Sequence, residues 1–368
     1  MLVAERFRQR VPNLCTWVRI PSGIGVLDAG RWVRKKMWRT MKARRRERRG
    51  WRGMRLKALA VIVPRRIAVA YLTLVERKVM AGIQRRQGPN AVGRFGMRTP
   101  MADGRKLILK ESVVPRAADQ TLFRVAPRRT FQVALMSWAA RPIGEGMVYA
   151  DRNCGLIYRL ATSSLGVYGI IIAGWSSNSK YAFMGALRSA AQMVSYEVSR
   201  SFVVSGVRRC AGTANRTERV RKQKEVWYMV PMFPMRRRFY VSTLAETNRH
   251  PFDLPEAEAE LVSGYNVEYA AAGFTLFFLG EYGNMILMCG RTTVRFRGGW
   301  RGILGDGGVL RMGRKVLILL RGYAWARAAY PRFRYDQLMR LGWKVYLPVS
   351  RGWTAFTGGR LRGRNGLV

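Results

Sequence analysis

Two long runs without charge constrain the fold of this chain most strongly. The run LATSSLGVYGIIIAGWSSNS, residues 160–179, contains twenty residues and no charged side chain. The run YAAAGFTLFFLGEYGNMILMCG, residues 269–290, contains 22 residues and one charged side chain, Glu281. About 20 apolar residues in a helix cross the roughly 30 Å hydrocarbon core of a bilayer. The two runs therefore predict membrane-spanning helices.

The overall composition points to a different class of protein. The 368 residues include 67 Lys and Arg against 21 Asp and Glu, which gives a formal net charge of +46. Hydrophobic residues make up 48%, which is normal for a globular protein and low for a polytopic membrane protein. An arginine-rich excess favours a polyanionic partner such as nucleic acid or an anionic lipid surface. A basic organellar RNA- or ribosome-binding protein is therefore the alternative to a membrane protein.

The N-terminal residues 1–56 differ in composition from the rest. They include RWVRKKMWRTMKARRRERRGWRG at residues 31–53. Such a block is typical of a solvated basic arm, and its arginine-rich, acid-poor composition also suits a targeting or RNA-binding segment. A third interpretation is upstream sequence that is absent from the mature protein. We therefore divide the chain into this extension, a membrane domain at residues 57–350, and a tail or degraded last helix at residues 351–368.

Three kinds of functional site lack their motifs. The four cysteines lie far apart and form no CxxC pair, so metal-ligand spacing is absent. The chain has one histidine and no nucleophile elbow, which gives a hydrolytic triad no support. Neither a Walker A loop nor a GxGxxG after a strand is present. The sequence therefore supports no metal centre, triad or nucleotide site.

Five ordered motifs carry a family resemblance. They are YLTLVERKVMAGIQRRQGPNAVGRFG (71–96), ADGRKLILKES (102–112), GWSSNSKYAFMGALRSAAQMVSYEVS (174–199), AETNRHPFDLPEAEAELVSGYNVEY (245–269) and RAAYPRFRYDQLMRLGWKVYLP (327–348). In this order they closely resemble the subunit 1 family of the proton-pumping NADH:ubiquinone oxidoreductase, respiratory complex I. The resemblance extends from about residue 62 to about residue 350. The residues of the fourth motif are similar to those of the mitochondrial branch of the family.

The resemblance implies an all-α fold, a polytopic transmembrane bundle of about eight helices with amphipathic and acidic loop segments. Such a subunit helps to form the ubiquinone-binding chamber and couples quinone reduction to proton translocation, without being catalytic in isolation. It binds no cofactor alone, so FMN and iron–sulfur clusters are expected in partner subunits and ubiquinone is the substrate. The implied partners are quinone-site peripheral-arm subunits, small membrane subunits and membrane lipid, with no nucleic acid. The implied location is the mitochondrial inner membrane, with the bacterial plasma membrane as the alternative.

The resemblance also assigns residues to the quinone chamber. They are Glu76, Arg77, Asp103, Lys106, Arg249 and Asp253. Glu76 and Arg77 are adjacent opposite charges after an apolar run, and an interfacial ion pair that ends a helix is the simpler interpretation. Asp103 and Lys106 lie three residues apart, so on a helix they share a face and could form an ordinary surface pair.

A second set of carboxylates matches the proton relay of the family. These residues are Glu197, Glu246, Glu256, Glu258, Glu260, Glu268 and Glu281. Glu197 falls in or beside an apolar helix that we predict to begin near Ala186, with Arg188 as a candidate partner. Carboxylates inside a membrane are costly and mark functional sites more often than not. Clustered carboxylates in a low dielectric also titrate as a coupled set, which suits a proton relay.

The fourth motif concentrates acids in a basic chain, with six of the 21 acidic residues in 25 positions. Asp253 followed by Pro255 and Glu256 is typical of a helix start with a capping box. Glu256 and Glu260 would share a helix face, with Glu258 on another. An acidic helix N-terminus in solvent, stabilised by the helix dipole, is the alternative interpretation.

Arginine replaces apolar residues of the family at many helix positions. These positions are Arg128, Arg129, Arg159, Arg200, Arg208, Arg209, Arg236 to Arg238 and Arg321. One arginine at a helix centre costs roughly 2.5 to 3.5 kcal/mol on the insertion scale. Three explanations stay open: a transcript altered before translation, arginines that are buried against acidic partners, or a translated pseudogene.

Overall fold

The computed structural model describes residues 56, 58–151, 153–224, 226–254, 264–302 and 308–363. Within these ranges the regular structure is helical, and the only β-type pairing is an isolated bridge between Gly144 and Met147. The prediction of an all-α fold is confirmed. The chain divides into residues 1–61 and a compact unit of residues 62–368, and the architecture below is that of the second unit.

The connections between the helices range from three residues between α4 and α5 to 24 residues between α7 and α8. They are α1 Ala58–Ile83, α2 Thr99–Leu109, α3 Gln120–Met136, α4 Gly155–Ser176, α5 Lys180–Ala211, α6 Arg216–Lys222, α7 Phe233–Glu246, α8 Ala271–Phe296, α9 Val309–Ala329, α10 Tyr335–Arg340 and α11 Leu347–Gly363. A π-helical turn, Leu341–Tyr346, joins α10 to α11. Much of the segment that we predicted to be a tail or a degraded last helix therefore lies in α11.

Three of the described helices are long and apolar enough to cross a membrane, namely α1, α4 and α8. Helices α4 and α8 contain the two uncharged runs of the sequence, so both runs are confirmed as helical. The sequence analysis did not single out α1, because Arg65, Arg66, Glu76 and Arg77 leave no long uncharged run in it, although its mean hydropathy of 1.8 exceeds that of α4 and α8. The remaining long helices carry arginines at intervals that break up their apolar faces.

The helix ends follow from local side-chain chemistry. Asp119 precedes α3, and its carboxylate accepts hydrogen bonds from the backbone N–H of Thr121 at 3.0 Å and of Leu122 at 3.4 Å. Such a cap satisfies amide groups that have no partner inside the helix. Helix α5 ends at Gly212, whose φ of 63° is the left-handed conformation that glycine adopts without strain. The chain can therefore reverse directly into α6.

Helix α4 packs against both α3 and α5, and α5 lies at the centre of the described bundle. It contacts α4, α7 and α11, while α8 contacts α3 and α9. Helices α4 and α5 approach each other closely, because a Cβ added at Gly174 would overlap Ala186. One apolar cluster joins α1, α5, α8, α9 and α10 through Val69, Tyr196, Tyr282, Tyr323 and Leu338. The charged groups of the candidate site lie against this cluster.

Large apolar side chains also cover outward-facing surfaces of the bundle. Examples that are more than half exposed are Leu165, Tyr168, Trp175, Leu317, Ile318 and Trp325. An apolar surface of this extent is typical of a protein that contacts membrane lipid or other subunits. The arrangement of helices therefore agrees with a helical membrane protein.

Candidate functional site

The first group of buried charges is centred on Arg249, in the loop after α7. Its Nη1 lies 3.2 Å from Glu76 Oε1 on α1, and its Nε lies 2.8 Å from Glu281 Oε1 on α8. Arg327, at the end of α9, reaches the same Glu76 oxygen at 2.6 Å. The Tyr282 ring lies 4.4 Å from the Arg249 guanidinium carbon. We call Glu76, Arg249, Glu281, Tyr282 and Arg327 the Arg249 cluster.

The Arg249 cluster joins four parts of the chain in a nearly dry environment. Glu76 and Arg249 are each 8% exposed. Burial opposes the charge of Arg249, but the nearby carboxylates of Glu281 and Glu76 raise the pKa of Arg249 well above its ordinary value. Its planar guanidinium can contact both acids at once, which a lysine ammonium could not do with the same geometry. Arg249 is therefore a fixed cation between two acids.

The pairing of Glu76 differs from the interfacial pair that the sequence suggested. Glu76 turns inward to Arg249 and Arg327, whereas Arg77 is exposed and pairs with Asp103 on α2 at 3.3 Å. Successive residues of a helix lie about 100° apart around its axis, so adjacent charges face different surroundings. Lys106 is exposed on α2, and the ion pair of Asp103 is with Arg77 rather than with Lys106.

Asp253 lies in a separate group beside the Arg249 cluster. Its Oδ2 is 3.2 Å from His250 Nε2 and 3.7 Å from Arg332 Nη2, which lies in the connection between α9 and α10. His250, the single histidine of the sequence, was not among the predicted site residues, yet it contacts this acid. Asp253 is 8% exposed, so its carboxylate is held inside the protein.

The second buried group is centred on Glu246, the last residue of α7. Its carboxylate contacts Arg200 of α5, and its Oε1 lies 3.5 Å from Arg159 Nη2 of α4. Glu197, one turn before Arg200, accepts hydrogen bonds from the hydroxyl groups of Ser163 at 2.5 Å and Ser164 at 3.1 Å. Arg200 Nη2 also lies 3.5 Å from Glu197. We call Arg159, Ser163, Glu197, Arg200 and Glu246 the Glu246 cluster.

The partner of Glu197 differs from the one that the sequence suggested. Arg188 lies nine positions earlier on the same helix, about 13.5 Å along the axis, whereas Arg200 lies on the next turn. Helix α5 begins at Lys180 rather than near Ala186, so Glu197 sits in its middle. The prediction of Arg188 as the partner was wrong, because spacing of three or four residues decides which side chains meet on a helix.

A buried amide fixes the chain segment that connects the two clusters. Gln192 Nε2 donates to the carbonyl oxygens of Ala245 and Phe252, both at 2.9 Å, and lies 3.3 Å from Asn248 Oδ1. Gln192 is fully buried on α5. Because Glu246 and Arg249 lie in this same segment, one side chain of α5 holds the relative position of both clusters. Only the amide nitrogen of Gln192 has partners here, since its Oε1 has no donor among the described residues, and the two carbonyl contacts fix the segment against α5.

The structure brings some predicted site residues together and leaves others apart. Glu76, Arg249 and Glu281 meet in one cluster, and Glu197 and Glu246 meet in another. Glu268 is half-buried in the connection before α8. Glu256, Glu258 and Glu260, together with the helix start predicted at Pro255, lie outside the described residues.

Sequence reasoning missed several members of these clusters. Arg327 and Arg332 fall within the fifth motif, but nothing in that motif marked them as partners of distant acids. Arg159 and Arg200 were noticed only as departures from apolar family positions. Gln192 also fell within a quoted motif, and a polar residue surrounded by Ala, Met and Val on a long helix was the signal that could have identified it.

Chemically, the site offers carboxylates and guanidinium groups in a low dielectric. Within the described residues no group of His, Cys, Asp and Glu side chains has a metal-binding arrangement. Carboxylates held this close to arginines interact strongly, so protonation of one member changes the charge balance of its neighbours. The arrangement can therefore hold or pass protons and respond to a change of charge nearby.

Comparisons with known proteins agree with this picture. A model of the NADH dehydrogenase family matches residues 56–358. The chain is similar to NADH-ubiquinone oxidoreductase chain 1 of Chondrus crispus, with 57% identity over 318 residues that cover 85% of this chain and 98% of the relative. The corresponding chain of Arabidopsis thaliana is 59% identical over 298 residues, 79% of this chain and 92% of the relative.

Bacterial relatives are nearly as similar. A subunit of the NADH-quinone oxidoreductase of Rhodospirillum rubrum is 55% identical over 313 residues, which cover 83% of this chain and 93% of the relative. The resemblance that the five motifs indicated is thereby confirmed. The family match and these identities show that the chain belongs to the NADH dehydrogenase family, which includes chain 1 of NADH-ubiquinone oxidoreductase and its bacterial counterpart in NADH-quinone oxidoreductase.

Proposed function

We propose that this chain is a core membrane subunit of an NADH:quinone oxidoreductase, where it helps to form the quinone-binding chamber and couples quinone reduction to proton translocation. The observation that carries the proposal is the set of carboxylates on α1, α5, α7 and α8, which are buried at Glu76 and half-buried at Glu197, Glu246 and Glu281, each paired with arginine. Relatives named for the same enzyme supply the reaction. The substrate is ubiquinone, and the electrons come from iron–sulfur and flavin groups of partner subunits.

The chamber side of the site consists of the Arg249 cluster, the Arg77–Asp103 pair and Asp253. Arg77 and Asp103 are about half exposed, so they can contact a polar head group or water at an entrance. Glu76 and Arg249 lie deeper and orient dipoles in a dry interior, where charges act more strongly than in water. Lys106 adds an exposed cation on α2. The partners on this side are the peripheral-arm subunits that contain the electron donor.

The relay side consists of the Glu246 cluster together with Glu268, Glu281 and the three acids outside the described residues. Reduction of a quinone to a quinol takes up two protons and two electrons, which changes the charge next to the Arg249 cluster. Glu281 is the first relay carboxylate to change its protonation, since Arg249 contacts both Glu281 and Glu76. The segment from Ala245 to Phe252, which Gln192 holds, transmits this change of charge to Glu246. Arg200 contacts both Glu246 and Glu197, and Ser163 contacts Arg200 and Glu197. Small membrane subunits then receive the proton or the associated movement.

Replacing Glu197 by glutamine tests the relay. We expect quinone-dependent NADH oxidation and proton pumping in membrane vesicles to fall about tenfold, equivalent to ~1.4 kcal/mol of barrier. Glutamine keeps the size of the side chain and can still bond Ser163, but it cannot exchange a proton. NADH oxidation by an artificial acceptor that bypasses the quinone should stay unchanged.

The matched control for this test is Glu145→Gln. Glu145 is 64% exposed and pairs with Arg221 at 3.7 Å, so its loss should leave turnover and pumping unchanged. Undiminished quinone-dependent turnover and pumping in the Glu197→Gln complex would refute the relay. A loss of the artificial-acceptor reaction as well would show that the variant complex had not assembled.

Extraction distinguishes a membrane subunit from the RNA- or ribosome-binding alternative. We propose the mitochondrial inner membrane as the location, with lipid and no nucleic acid among the partners. Carbonate or high-salt washing of membranes should leave this chain in the pellet, since α1, α4 and α8 are long enough to span the bilayer. Salt releases proteins held by phosphate contacts, because their affinity falls steeply with ionic strength. Quantitative release into the supernatant would contradict the membrane assignment.

A further inference from the structure

A third group of buried cations lies next to Arg159 of the Glu246 cluster and away from the Arg249 cluster. A cavity of about 10 Å³ is lined by Arg141, Pro142, Arg216, Arg219, Arg291, Val294 and Arg295, and we call it the arginine cavity. The loop after α3, helix α6 and the last turns of α8 form its walls. On α8, Arg295 follows Glu281 by 14 residues, which is about 21 Å along the helix axis. The arginine cavity is therefore separate from the Arg249 cluster, whereas it adjoins the Glu246 cluster, because Arg159 and Arg291 both contact Met288 Sδ.

All five guanidinium groups are removed from solvent. The exposed fraction is 7% for Arg141 and Arg216, 1% for Arg219, 5% for Arg291 and 4% for Arg295. Arg159 and Arg200 have acids of this chain beside them, whereas in the described ranges no carboxylate forms an ion pair with these five arginines. Buried cations are strongly unfavourable unless an opposite charge or a set of acceptors compensates them.

Protein carbonyl groups satisfy only part of the donor capacity. Arg216 donates to Ala140 O at 3.0 Å and to Gly155 O at 2.6 Å, so its position is fixed by the backbone. Four other N–H groups are buried without an acceptor among the residues that the structure describes, namely Arg141 Nε, Arg219 Nε, Arg291 Nε and Arg295 Nη1. Buried donors in folded proteins are nearly always paired, so four at one cavity point to a ligand that accepts hydrogen bonds.

The electrostatics of the cavity favour a negative charge. Burial, reinforced by the neighbouring Arg159 and Arg219, lowers the pKa of Arg216 to about 9. Burial also lowers the pKa of Arg141 and of Arg219 to about 10. These groups nevertheless stay protonated near pH 7, so the cavity concentrates like charges that repel one another. An anion among them would relieve both the repulsion and the desolvation.

The volume of the cavity limits the size of the anion. A space of about 10–15 Å³ accommodates roughly one water molecule. A monatomic halide has a similar size, whereas a phosphate group would require the arginine side chains to move apart. Charge-assisted hydrogen bonds from several N–H groups are stronger than neutral ones. We propose that the arginine cavity binds one small inorganic anion of the size of chloride.

Halide dependence of thermal stability in the purified complex tests this proposal. At constant ionic strength, replacing gluconate with chloride or bromide should raise the Tm of the unit that contains this chain by about 2–4 °C, and the effect should saturate. Arg295→Met should abolish the halide dependence. Arg221→Met is the matched control, because Arg221 is 57% exposed on the same α6 wall and pairs with Glu145. This control should keep the full halide response.

Direct localisation covers the case in which Arg295→Met does not assemble. Crystals of the unmodified complex grown in bromide should show an anomalous scattering peak between Arg219, Arg291 and Arg295. An equal Tm in chloride and gluconate, or ordered arginines without such a peak, would overturn the proposal. Stabilisation by phosphate and not by halides would overturn the assigned size. The proposal would also be overturned if peptide mass spectrometry of the mature protein found uncharged residues at positions 141, 219, 291 and 295.

Discussion

Arg249→Met is expected to cost about 3–5 kcal/mol of stability and to abolish quinone-dependent turnover, because it leaves two buried carboxylates without their shared cation. Glu281 would lose the Nε contact at 2.8 Å. Glu76 would keep Arg327 alone, whose side chain is 38% exposed and therefore less effective. Thermal unfolding of the purified complex, its yield and its NADH:quinone activity measure the effect.

A control and a rescue separate the charge effect from a loss of packing. Arg77→Met removes the exposed pair with Asp103, which is worth about 0–1 kcal/mol, so its stability should stay near that of the parent. Combining Arg249→Met with Glu281→Gln removes a carboxylate that has lost this cation and should restore a large part of the lost stability without restoring turnover. If Arg249→Met behaved like Arg77→Met in both assays, the Arg249 cluster would have no central role.

Glu246→Gln is expected to lower stability and turnover by a similar amount, because it removes an acid from between two cations rather than a cation from between two acids. It leaves Arg159 and Arg200, which are 1% and 2% exposed, without the acid that lies between them. Breaking a buried ion pair from one side costs about 3–5 kcal/mol. Arg200 can still reach Glu197, so Arg159 should bear most of the loss. The readouts are the midpoint of thermal unfolding and the quinone-dependent rate.

A double-mutant cycle assigns the loss to the buried pair. Glu246→Gln combined with Arg159→Leu should be more stable than Glu246→Gln alone, since leucine removes the unpaired charge and fills part of its space. Asp336→Asn is the control, because Asp336 and Arg334 are about 80% exposed and 3.7 Å apart. A coupling energy of zero between Glu246 and Arg159 would contradict the arrangement of the Glu246 cluster.

Sequence patterns predicted the helical class and the family, and their limits are physical. An uncharged run is a local signal, so it identified α4 and α8 but missed α1, whose flanking charges interrupt the pattern. Glu76 and Glu281 were singled out as single residues. Their connection through Arg249 depends on contacts across 173 residues of chain, which spacing cannot reveal. Ion pairs between helices follow from how the helices pack, and a linear pattern contains no such information.

The buried arginines divide in a way that the sequence did not show. Arg159 and Arg200 lie against acids of the same chain, in agreement with arginines that are buried against acidic groups. The five arginines of the arginine cavity have no described acid beside them. The excess of arginine looked uniform in the sequence. In the structure it includes arginines that pair with acids of the same chain and arginines that surround a cavity.

The length of α5 has a mechanical consequence. Its 32 residues extend about 48 Å, whereas the hydrocarbon core is about 30 Å thick. It is therefore longer than the core is thick, although it is not one of the described helices that are apolar enough to cross a membrane. Glu197 and Arg200 belong to α5 and Glu246 belongs to α7, so any tilting of α5 against α7 changes the alignment of these charges directly.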